Sequence, residues 1–532
     1  MQIKVATNDH TEGIMIGLMN FSKQVRLLVL TLAVAVTSQS QAAEYLVKYK
    51  SEKAVNSIIA MQTESIGLEV RSMHKPGRLL KISVAEKNKV KTLATILADS
   101  NVEYVVPNFK LQAFSAPVEA SALKEQYSLA KVNAEKAWQR AGNKGSKKVL
   151  LAVIDTGVDY NHKDLAQNMV PGYDFRDKDN DPMDLTGQQN PGHGTHCAGI
   201  VGAAGVVEGG VQGMSPDVSI MPLRFLGADG SGDLESGIKA IDYAIEKKVQ
   251  VISASWGAAV PTAQAQPLID AVKRADDAGI IFVAAAANDG KNNDNVNMYP
   301  TNANTPNMIS VAASNSSDKK PSWSNYGKAK VSLASPGEAI ISTLPGNKYA
   351  NLSGTSMATP LVAGMVAFLK AQDASLTGAE IKSLLQTTGA KVEIETACNC
   401  RVDAFAAVDT LLAKKGWMVP AAATVAIDGT QQFAVKNSSG AVKFESSNPA
   451  VATITEQGLL TGKTQGVATV KATDAKGTVV TSLDINVGKT ESSQPGNPPG
   501  GGGDCPLGDA ALCEGACQIL PSLPWCSGGG GL

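Results

Sequence analysis

Residues 148–162, KVLLAVIDTGVDYNH, run from a continuous apolar segment straight into an aspartate and a turn. Apolar runs of similar length recur along residues 125–415 and alternate with segments of helical spacing, such as LESGIKAIDYAIEKK at 234–248. Strands that alternate with crossover helices form a mostly parallel sheet covered by helices on both faces. The pattern predicts an α/β fold. Ligands of such sheets bind at the carboxyl ends of the strands, which is where Asp155 lies.

The segments that flank this region have other patterns. Residues 44–115 contain the alternating runs EYLVKYK, LLKISV and VEYVVPNFKLQAF with helical segments between them, which predicts a small α+β unit. Residues 420–488 show period-two alternation between Gly, Asn and Asp turns, which predicts an all-β sandwich. Residues 489–504, KTESSQPGNPPGGGGD, have the composition of a flexible linker.

The amino end has the features of an export signal. Lys23 and Arg26 precede the apolar run LLVLTLAVAV, and small residues follow at Ser40 and Ala42. A signal peptide over residues 1–42 is therefore expected, with Met19 as its possible true start. The apolar run is too short to span a bilayer comfortably, although a retained anchor is the alternative. No membrane span is expected elsewhere.

Composition narrows the class of partner. Lysine and arginine number 48 against 49 acidic residues, so no basic surface field is expected to attract nucleic acid. Seven cysteines suit an oxidising compartment. Cys197 lies among small apolar residues and is expected to be a free buried thiol. Cys505, Cys513, Cys517 and Cys526 crowd the tail and predict a disulfide knot. A zinc site is the weaker alternative, because the tail lacks a tight Cys-x-x-Cys pair.

Three further segments carry candidate catalytic groups. His193 lies between glycines in NPGHGTHCAGI (190–200), where backbone can approach it closely, and is the candidate general base. Asp155 would hold its ring, or would simply cap the turn that follows the strand. His162 and His196 have ordinary structural explanations. Zinc at His193 and His196 is disfavoured, because the Glu of a zinc-protease motif is absent.

Ser356 is the candidate nucleophile. In LSGTSMATPLVAG (352–364) it precedes an apolar helical segment, so backbone N–H groups would meet negative charge that develops beside it. The alternative is an ordinary helix N-cap. Asn288 follows a buried strand in FVAAAANDG (282–290) and would donate to an oxyanion, or would only form a turn. A serine needs an adjacent base to attack, and the co-occurrence of these groups supplies one.

These segments resemble the motifs of the subtilisin-like serine proteases, or subtilases (peptidase S8). VIDTGVD, GHGTHCAGI and LSGTSMATPLVAG are similar to the family's aspartate, histidine and serine motifs, and AAAANDG is similar to its oxyanion segment. The resemblance extends over residues 125–412 and implies a three-layer catalytic domain. It implies that Asp155 orients His193 and that His193 is base and then acid. It also implies that Ser356 forms the acyl-enzyme and that Asn288 binds the oxyanion.

The resemblance also implies a zymogen and a substrate cleft. Residues 43–115 resemble the inhibitory I9-like propeptide, which is expected to be cut near residues 113–124 and to act as an inhibitor. SASWGA and GADGSGD resemble two strand edges that hold an extended peptide. The expected substrate-binding residues are Ser255, Trp256, Gly257, Gly230 and Ala287. Ala287 replaces the family's usual glycine, and with Met298 it predicts a narrowed first specificity pocket that favours apolar or small residues.

Calcium is the expected cofactor, in a structural role. The loop DFRDKDNDPMD (174–184) is rich in carboxylates, so Ca²⁺ could bind there; a solvated acidic turn is the alternative. GAAGVVEGGVQG (202–213) lacks the asparagines of the family's familiar calcium loop, so calcium at Asp164 is not expected. The expected calcium ligands are Asp174, Asp177, Asp179 and Asp181.

The segment SSNPAVATITEQGLLTGKTQGVATVKATDA resembles bacterial immunoglobulin-like domains of group 2, which commonly serve as surface attachments or spacers. A possible surface ligand of this domain is therefore expected. The expected divisions are a signal peptide at 1–42, propeptide at 43–115, catalytic domain at 116–415, Ig-like domain at 420–488, and linker with cysteine-rich tail at 489–532.

The resulting expectation is a secreted, extracellular bacterial serine endopeptidase that acts as a monomer on proteins or peptides. One rival is a catalytically idle scaffold whose sandwich binds a surface. A second is a serine esterase of the α/β-hydrolase type. That fold places its serine in Gly-x-Ser-x-Gly and its histidine last, whereas here Ala358 replaces the second glycine and His193 precedes Ser356.

Overall fold

The computed structural model describes residues 42–52, 68–114, 126–488, 507, 510–519 and 526. The predicted signal peptide up to residue 41, most of the predicted helix SEKAVNSIIAMQ, and the glycine-rich linker lie outside the described residues. Within the described ranges, no helix has both the length and the apolar character needed to cross a bilayer.

The N-terminal unit (residues 42–114) is built on a four-stranded antiparallel sheet with strand order β2-β3-β1-β4. Its side chains alternate between two cores. Leu46 and Val106 belong to the core shared with the central domain, whereas Val47 and Val105 face the opposite side. The elements are β1 (Ala43–Tyr49), β2 (Leu68–His74), β3 (Leu79–Val84), α1 (Lys89–Leu97), β4 (Val102–Pro107) and β5 (Lys110–Ala113).

The central domain contains a nine-stranded sheet with strand order β18-β19-β15-β14-β12-β10-β6-β8-β7, and all its pairs are parallel except β18 with β19. Its central strands are buried on both faces, which explains their continuous apolar sequences. The strands of this domain are β6 (Leu150–Asp155), β7 (Tyr173–Asp174), β8 (Ser219–Arg224), β9 (Ser231–Asp233), β10 (Val251–Ala254), β11 (Trp256–Ala259), β12 (Ile281–Ala285), β13 (Met298–Tyr299), β14 (Met308–Ser314), β15 (Leu333–Pro336), β16 (Ile340–Leu344), β17 (Lys348–Leu352), β18 (Ala390–Lys391) and β19 (Cys400–Arg401).

Helices cover both faces of this sheet. Leu151 and Val153 of β6 pack with α4 and α7 on one face, while Ala152 and Ile154 pack with α5 and α6 on the other. The three layers follow from this alternation. The helices are α2 (Tyr127–Lys131), α3 (Ala134–Ala141), α4 (His193–Gly202), α5 (Leu234–Glu246), α6 (Thr262–Asp277), α7 (Thr355–Gln372), α8 (Gly378–Thr388) and α9 (Ala404–Leu412).

An all-β domain follows, packed around Phe433, Leu460 and Ile485. It is attached to the central domain through Trp417, whose indole Nε1 donates to the Glu380 carbonyl oxygen at 3.1 Å. Its strands are β20 (Trp417–Val419), β21 (Ala423–Ala426), β22 (Thr430–Gln432), β23 (Ala434–Lys436), β24 (Val442–Ser446), β25 (Ala452–Ile454), β26 (Leu459–Gly462), β27 (Gly466–Ala468), β28 (Val470–Asp474), β29 (Val479–Thr481) and β30 (Ile485–Gly488). In the tail, the structure describes one further helix, α10 (Ala510–Ile519).

The predicted fold class is confirmed: a mostly parallel α/β domain lies between a small α+β unit and an all-β domain. Cys197 is a free, buried thiol, as predicted. Among the described cysteines, Cys398 is joined to Cys400 and Cys517 to Cys526, and Cys513 is disulfide-bonded as well.

Candidate active site

The structure brings Asp155 and His193 into direct contact. Asp155 is the last residue of β6 and His193 the first of α4, and the Oδ1 atom of the aspartate lies 2.7 Å from Nδ1 of the histidine. The same Oδ1 accepts the Thr156 backbone N–H at 2.7 Å, so both readings of Asp155, turn cap and histidine partner, describe the same carboxylate. An imidazole held in this way has a fixed ring orientation.

Burial and charge act in opposite directions on His193. Removal from water is the largest single effect and opposes protonation of the ring, but the charges and hydrogen bonds of Asp155 and Cys197 together outweigh it and raise the pKa of His193 well above its ordinary value. His196 has no such partner charge, and burial lowers its pKa to about 3. Its Nε2 atom lies 3.0 Å from the Ala350 carbonyl oxygen, which is the structural role expected for this histidine.

Ser356 is the second residue of α7 and is fully buried in this structure. Its hydroxyl contacts two backbone carbonyl oxygens, that of Phe114 and that of Ser255, the latter at 3.0 Å. Among the residues that the structure describes, Nε2 of His193 has no hydrogen-bond partner. Helices α4 and α7 pack together, so histidine and serine lie on adjacent helices, but this conformation does not join them by a hydrogen bond.

Pro360 changes the backbone beside the serine. It is the sixth residue of α7 and has no N–H to give to the carbonyl oxygen of Ser356, four residues earlier. That oxygen instead accepts the Ser255 hydroxyl at 3.0 Å and the Cys197 thiol at 3.4 Å. The proline therefore leaves an acceptor free within α7, and this acceptor joins α7 to α4 and to the residue between β10 and β11.

A side-chain amide points at the Phe114 carbonyl. Asn288 Nδ2 donates to the Phe114 oxygen at 3.0 Å, while Asn288 Oδ1 accepts from both the backbone N–H and the hydroxyl of Thr355, each at 2.9 Å. Thr355 therefore fixes which end of the amide faces the carbonyl. A Cβ atom on Gly354 would lie only 2.8 Å from the same oxygen, so a glycine keeps the space open.

The strand in the cleft belongs to the chain itself. β5 pairs antiparallel with β9 on one side and with β11 on the other. The N–H of Ala113 donates to the Gly230 oxygen and that of Phe114 to the Ser255 oxygen, both at 3.0 Å. Trp256 and Gly257 pair with Ala113 and Gln112. The two strand edges expected to hold a peptide thus hold residues 110–114, and the sequence had not singled out Phe114 as the residue at the serine.

The aromatic ring of Phe114 lies over Gly257, where a Cβ atom would come within 2.7 Å of its Cζ. Ala287 has a φ of 87°, a conformation that favours glycine, and its N–H donates to the Thr355 hydroxyl at 3.2 Å. Met298 is buried on β13, which pairs with β11. Ala287 directly precedes Asn288, so its hydrogen bond to Thr355 helps to hold the backbone that carries the Asn288 amide.

Two of the four aspartates predicted to bind calcium are paired with an arginine in this structure, and calcium at this loop stays a prediction. The carboxylates of Asp174 and Asp177 both contact Nη1 of Arg224, the latter at 2.6 Å, so a guanidinium balances their charge. Asp181 accepts the Tyr160 hydroxyl at 2.8 Å. Across the described ranges, the one set of three or more potential ligands whose ligand atoms lie within 4.8 Å of one another is Asp155, His193 and Cys197, not Asp174, Asp177, Asp179 and Asp181.

Asp164 accepts hydrogen bonds from the protein itself. Its carboxylate accepts the backbone N–H groups of Val206, Val207 and Val211 at 3.0–3.1 Å, and the Tyr349 hydroxyl at 2.8 Å. Backbone donors therefore surround the position at which no calcium was expected.

A carboxylate–imidazole pair, a serine at a helix start and a peptide strand laid across that serine define a serine endopeptidase. Comparison with known proteins identifies the family of serine endopeptidases. The chain belongs to the subtilase family: residues 146–417 match the model of that family, and residues 417–485 match the bacterial Ig-like domain (group 2). Both resemblances inferred from the motifs are confirmed, and with them the assignment as a serine endopeptidase.

Several curated proteins are similar to the chain. Thermitase of Thermoactinomyces vulgaris is 40% identical over half of this chain and 89% of its own length. The thermophilic serine proteinase of Bacillus sp. (strain AK1) is 38% identical over 58% of this chain and 76% of its own length. The minor extracellular protease Epr of Bacillus subtilis (strain 168) is 32% identical over 65% of this chain and 51% of its own length.

Proposed function

We propose that this subtilase is a secreted endopeptidase made as a zymogen, and that it cuts its own chain between Phe114 and Ser115 before it hydrolyses other proteins. The observation that carries the proposal is the Phe114 carbonyl group, which lies against the Ser356 hydroxyl and the Asn288 amide. Residues 110–114 thus occupy the cleft as a substrate would.

The proposed reaction begins at Ser356. Rotation of its side chain away from the Phe114 oxygen brings Oγ toward Nε2 of His193, which takes the proton as Oγ attacks the carbonyl carbon. Asp155 keeps Nδ1 of His193 protonated and stabilises the imidazolium, while Asn288 stabilises the negative charge on the oxygen. His193 then protonates the leaving amine, and water releases the acyl group from Ser356 by the reverse sequence.

The N-terminal unit is proposed as the inhibitor of its own enzyme. Its sheet packs on α5 and α6, with two polar contacts between them: His74 lies 2.6 Å from the Asp242 carboxylate, and Lys48 forms an ion pair with Asp270 at 3.3 Å. After cleavage these contacts remain, so residues 110–114 stay between β9 and β11 as a bound product. Other proteins reach Ser356 when the unit leaves.

The same proposal covers location and partners. Export is supported by the leader composition of residues 1–42, by the Ig-like domain and by the relative named as an extracellular protease. The proposed substrates are extended protein or peptide segments. The enzyme is proposed to act as a monomer, because one chain supplies every catalytic group named above. The Ig-like domain is proposed to bind a surface ligand.

The test compares purified precursors. Ser356→Ala is expected to remain uncut, whereas the unaltered chain and Ser375→Ala, which changes an exposed serine, acquire a new amino terminus at Ser115 and then digest casein. A sulfonyl fluoride should block both activities. Added active enzyme should cut the Ser356→Ala precursor at the same bond, which would show that the variant is folded. Normal processing of Ser356→Ala alone, or casein left intact by the unaltered chain, would contradict the proposal.

A further inference from the structure

The cysteine-rich tail contacts the N-terminal unit. Helix α10 packs against α1, and Leu507, Leu512, Cys513 and Ala516 are buried in the same core as Val47, Leu80 and Leu93 of the N-terminal unit. The two segments lie at opposite ends of the sequence. The tail therefore completes the core of a unit that the proposed cleavage separates from the rest of the chain.

One face of α10 makes this contact. Leu512, Cys513 and Ala516 lie on one helical face, with Ala516 fully buried, whereas Glu514 and Gln518 on the other face are exposed. Gly515 permits close approach, because a Cβ atom there would lie 3.0 Å from Cγ1 of Val90 in α1. A disulfide joins Cys517 of this helix to Cys526, and Cys526 packs against the same core.

The N-terminal unit consequently has two separate attachments. One face of its sheet packs on α5 and α6, and its other face, together with α1, packs on the tail. A domain of this size buries a small core and is marginal alone, so an added helix stabilises it. Two linked contacts also hold a partner far more tightly than either alone, because release of one leaves the other in place.

We propose that the tail is a dedicated binding element for the N-terminal unit, and that it retains this unit on the enzyme after the Phe114–Ser115 bond is hydrolysed. The contact itself stands on the packing described above. Its inhibitory consequence rests on the proposed function, since only a cut chain has a unit to retain.

A designed disulfide tests the contact without requiring activity. A Cβ atom on Gly515 would lie 3.9 Å from Cβ of Val90, within the range of disulfide geometry. Val90→Cys with Gly515→Cys, in a Ser356→Ala chain, should form the cross-link under mild oxidation, as read by mass spectrometry of a non-reduced digest. Val90→Cys with Gln518→Cys, on the exposed face, is the control and should not. Equal yields in both pairs, or no cross-link between residues 90 and 515, would overturn the contact.

Retention is then tested in chains that keep Ser356. After processing, the N-terminal unit should co-elute with the enzyme, and Ala516→Glu should release it at least tenfold faster with a shorter lag before casein digestion. Glu514→Gln, on the exposed face, should behave as the unaltered chain. Identical release rates for the two variants would refute retention even where the cross-link forms. If no chain digests casein while the cross-link forms, the proposed function fails and the contact stands.

Discussion

Removal of the Asn288 amide tests the proposed oxyanion site. In Asn288→Ala the donor that lies 3.0 Å from the Phe114 oxygen is lost, while the strand pairing of residues 110–113 is untouched. Loss of one such donor typically costs about 2.7–4 kcal/mol of transition-state stabilisation, or roughly 10²–10³ in rate. The expected result is a fall of that size in the first-order rate at which purified precursor acquires the Ser115 amino terminus.

Thr355 provides a second, graded perturbation of the same amide. Thr355→Val removes the hydroxyl that donates to Asn288 Oδ1 at 2.9 Å but keeps the backbone donor, so the amide is held less firmly. We expect a rate loss of roughly tenfold, on the order of 1.4 kcal/mol, as for one lost hydrogen bond. The losses in the double variant should be less than additive, because Thr355 acts partly through that amide, although its hydroxyl also accepts the Ala287 N–H at 3.2 Å. A loss below about fivefold for Asn288→Ala, or additive losses in the double variant, would refute the assignment.

Three further outcomes are expected. Gly354→Ala should give a folded but unprocessed chain, because its Cβ would lie 2.8 Å from the Phe114 oxygen; normal processing would argue against that position for the carbonyl. The processing rate should fall as pH drops through the raised pKa of His193, since the base must be neutral, and Asp155→Asn should move this acid limb to lower pH; both are read from rates measured across pH. Ala287→Gly should stabilise the Ser356→Ala chain in urea unfolding by up to about 1 kcal/mol, by relief of a φ of 87°, whereas Ala286→Gly, without positive φ, should destabilise it.

Much of the fold could be predicted because its signals are local. The apolar run before Asp155 and the helical spacing of residues 234–248 each depend on neighbours in sequence, and the structure has β6 and α5 at these places. The contact between α10 and α1 could not be predicted in this way. It joins segments several hundred residues apart, and the four tail cysteines indicated disulfides without indicating a surface to pack against.

The site was predictable in its groups but not in its conformation. Motifs identify an aspartate, a histidine, a serine and an asparagine, yet they do not specify which carbonyl lies between Ser356 and Asn288. That depends on the register of β5 against β9 and β11, in which Ala113 pairs with Trp256 and the next residue reaches the serine. A shift of one residue would present Ala113 or Ser115 to Ser356 and reverse the side chains along the strand.

The acidic loop shows that a count of charges along the sequence does not identify their partners. Five aspartates lie within residues 174–184, and the structure pairs two of them, Asp174 and Asp177, with a cation from the protein itself. Arg224 ends β8, which pairs in parallel with β7 so that Asp174 lies directly opposite Arg224, although 50 residues separate them in sequence. Burial of that pair would be costly for either charge alone, so each requires the other. A parallel sheet places the carboxyl ends of neighbouring strands side by side. This geometry brings Asp174 next to Arg224 at the ends of β7 and β8. It also places Asp155, at the end of the neighbouring β6, where His193 can contact it.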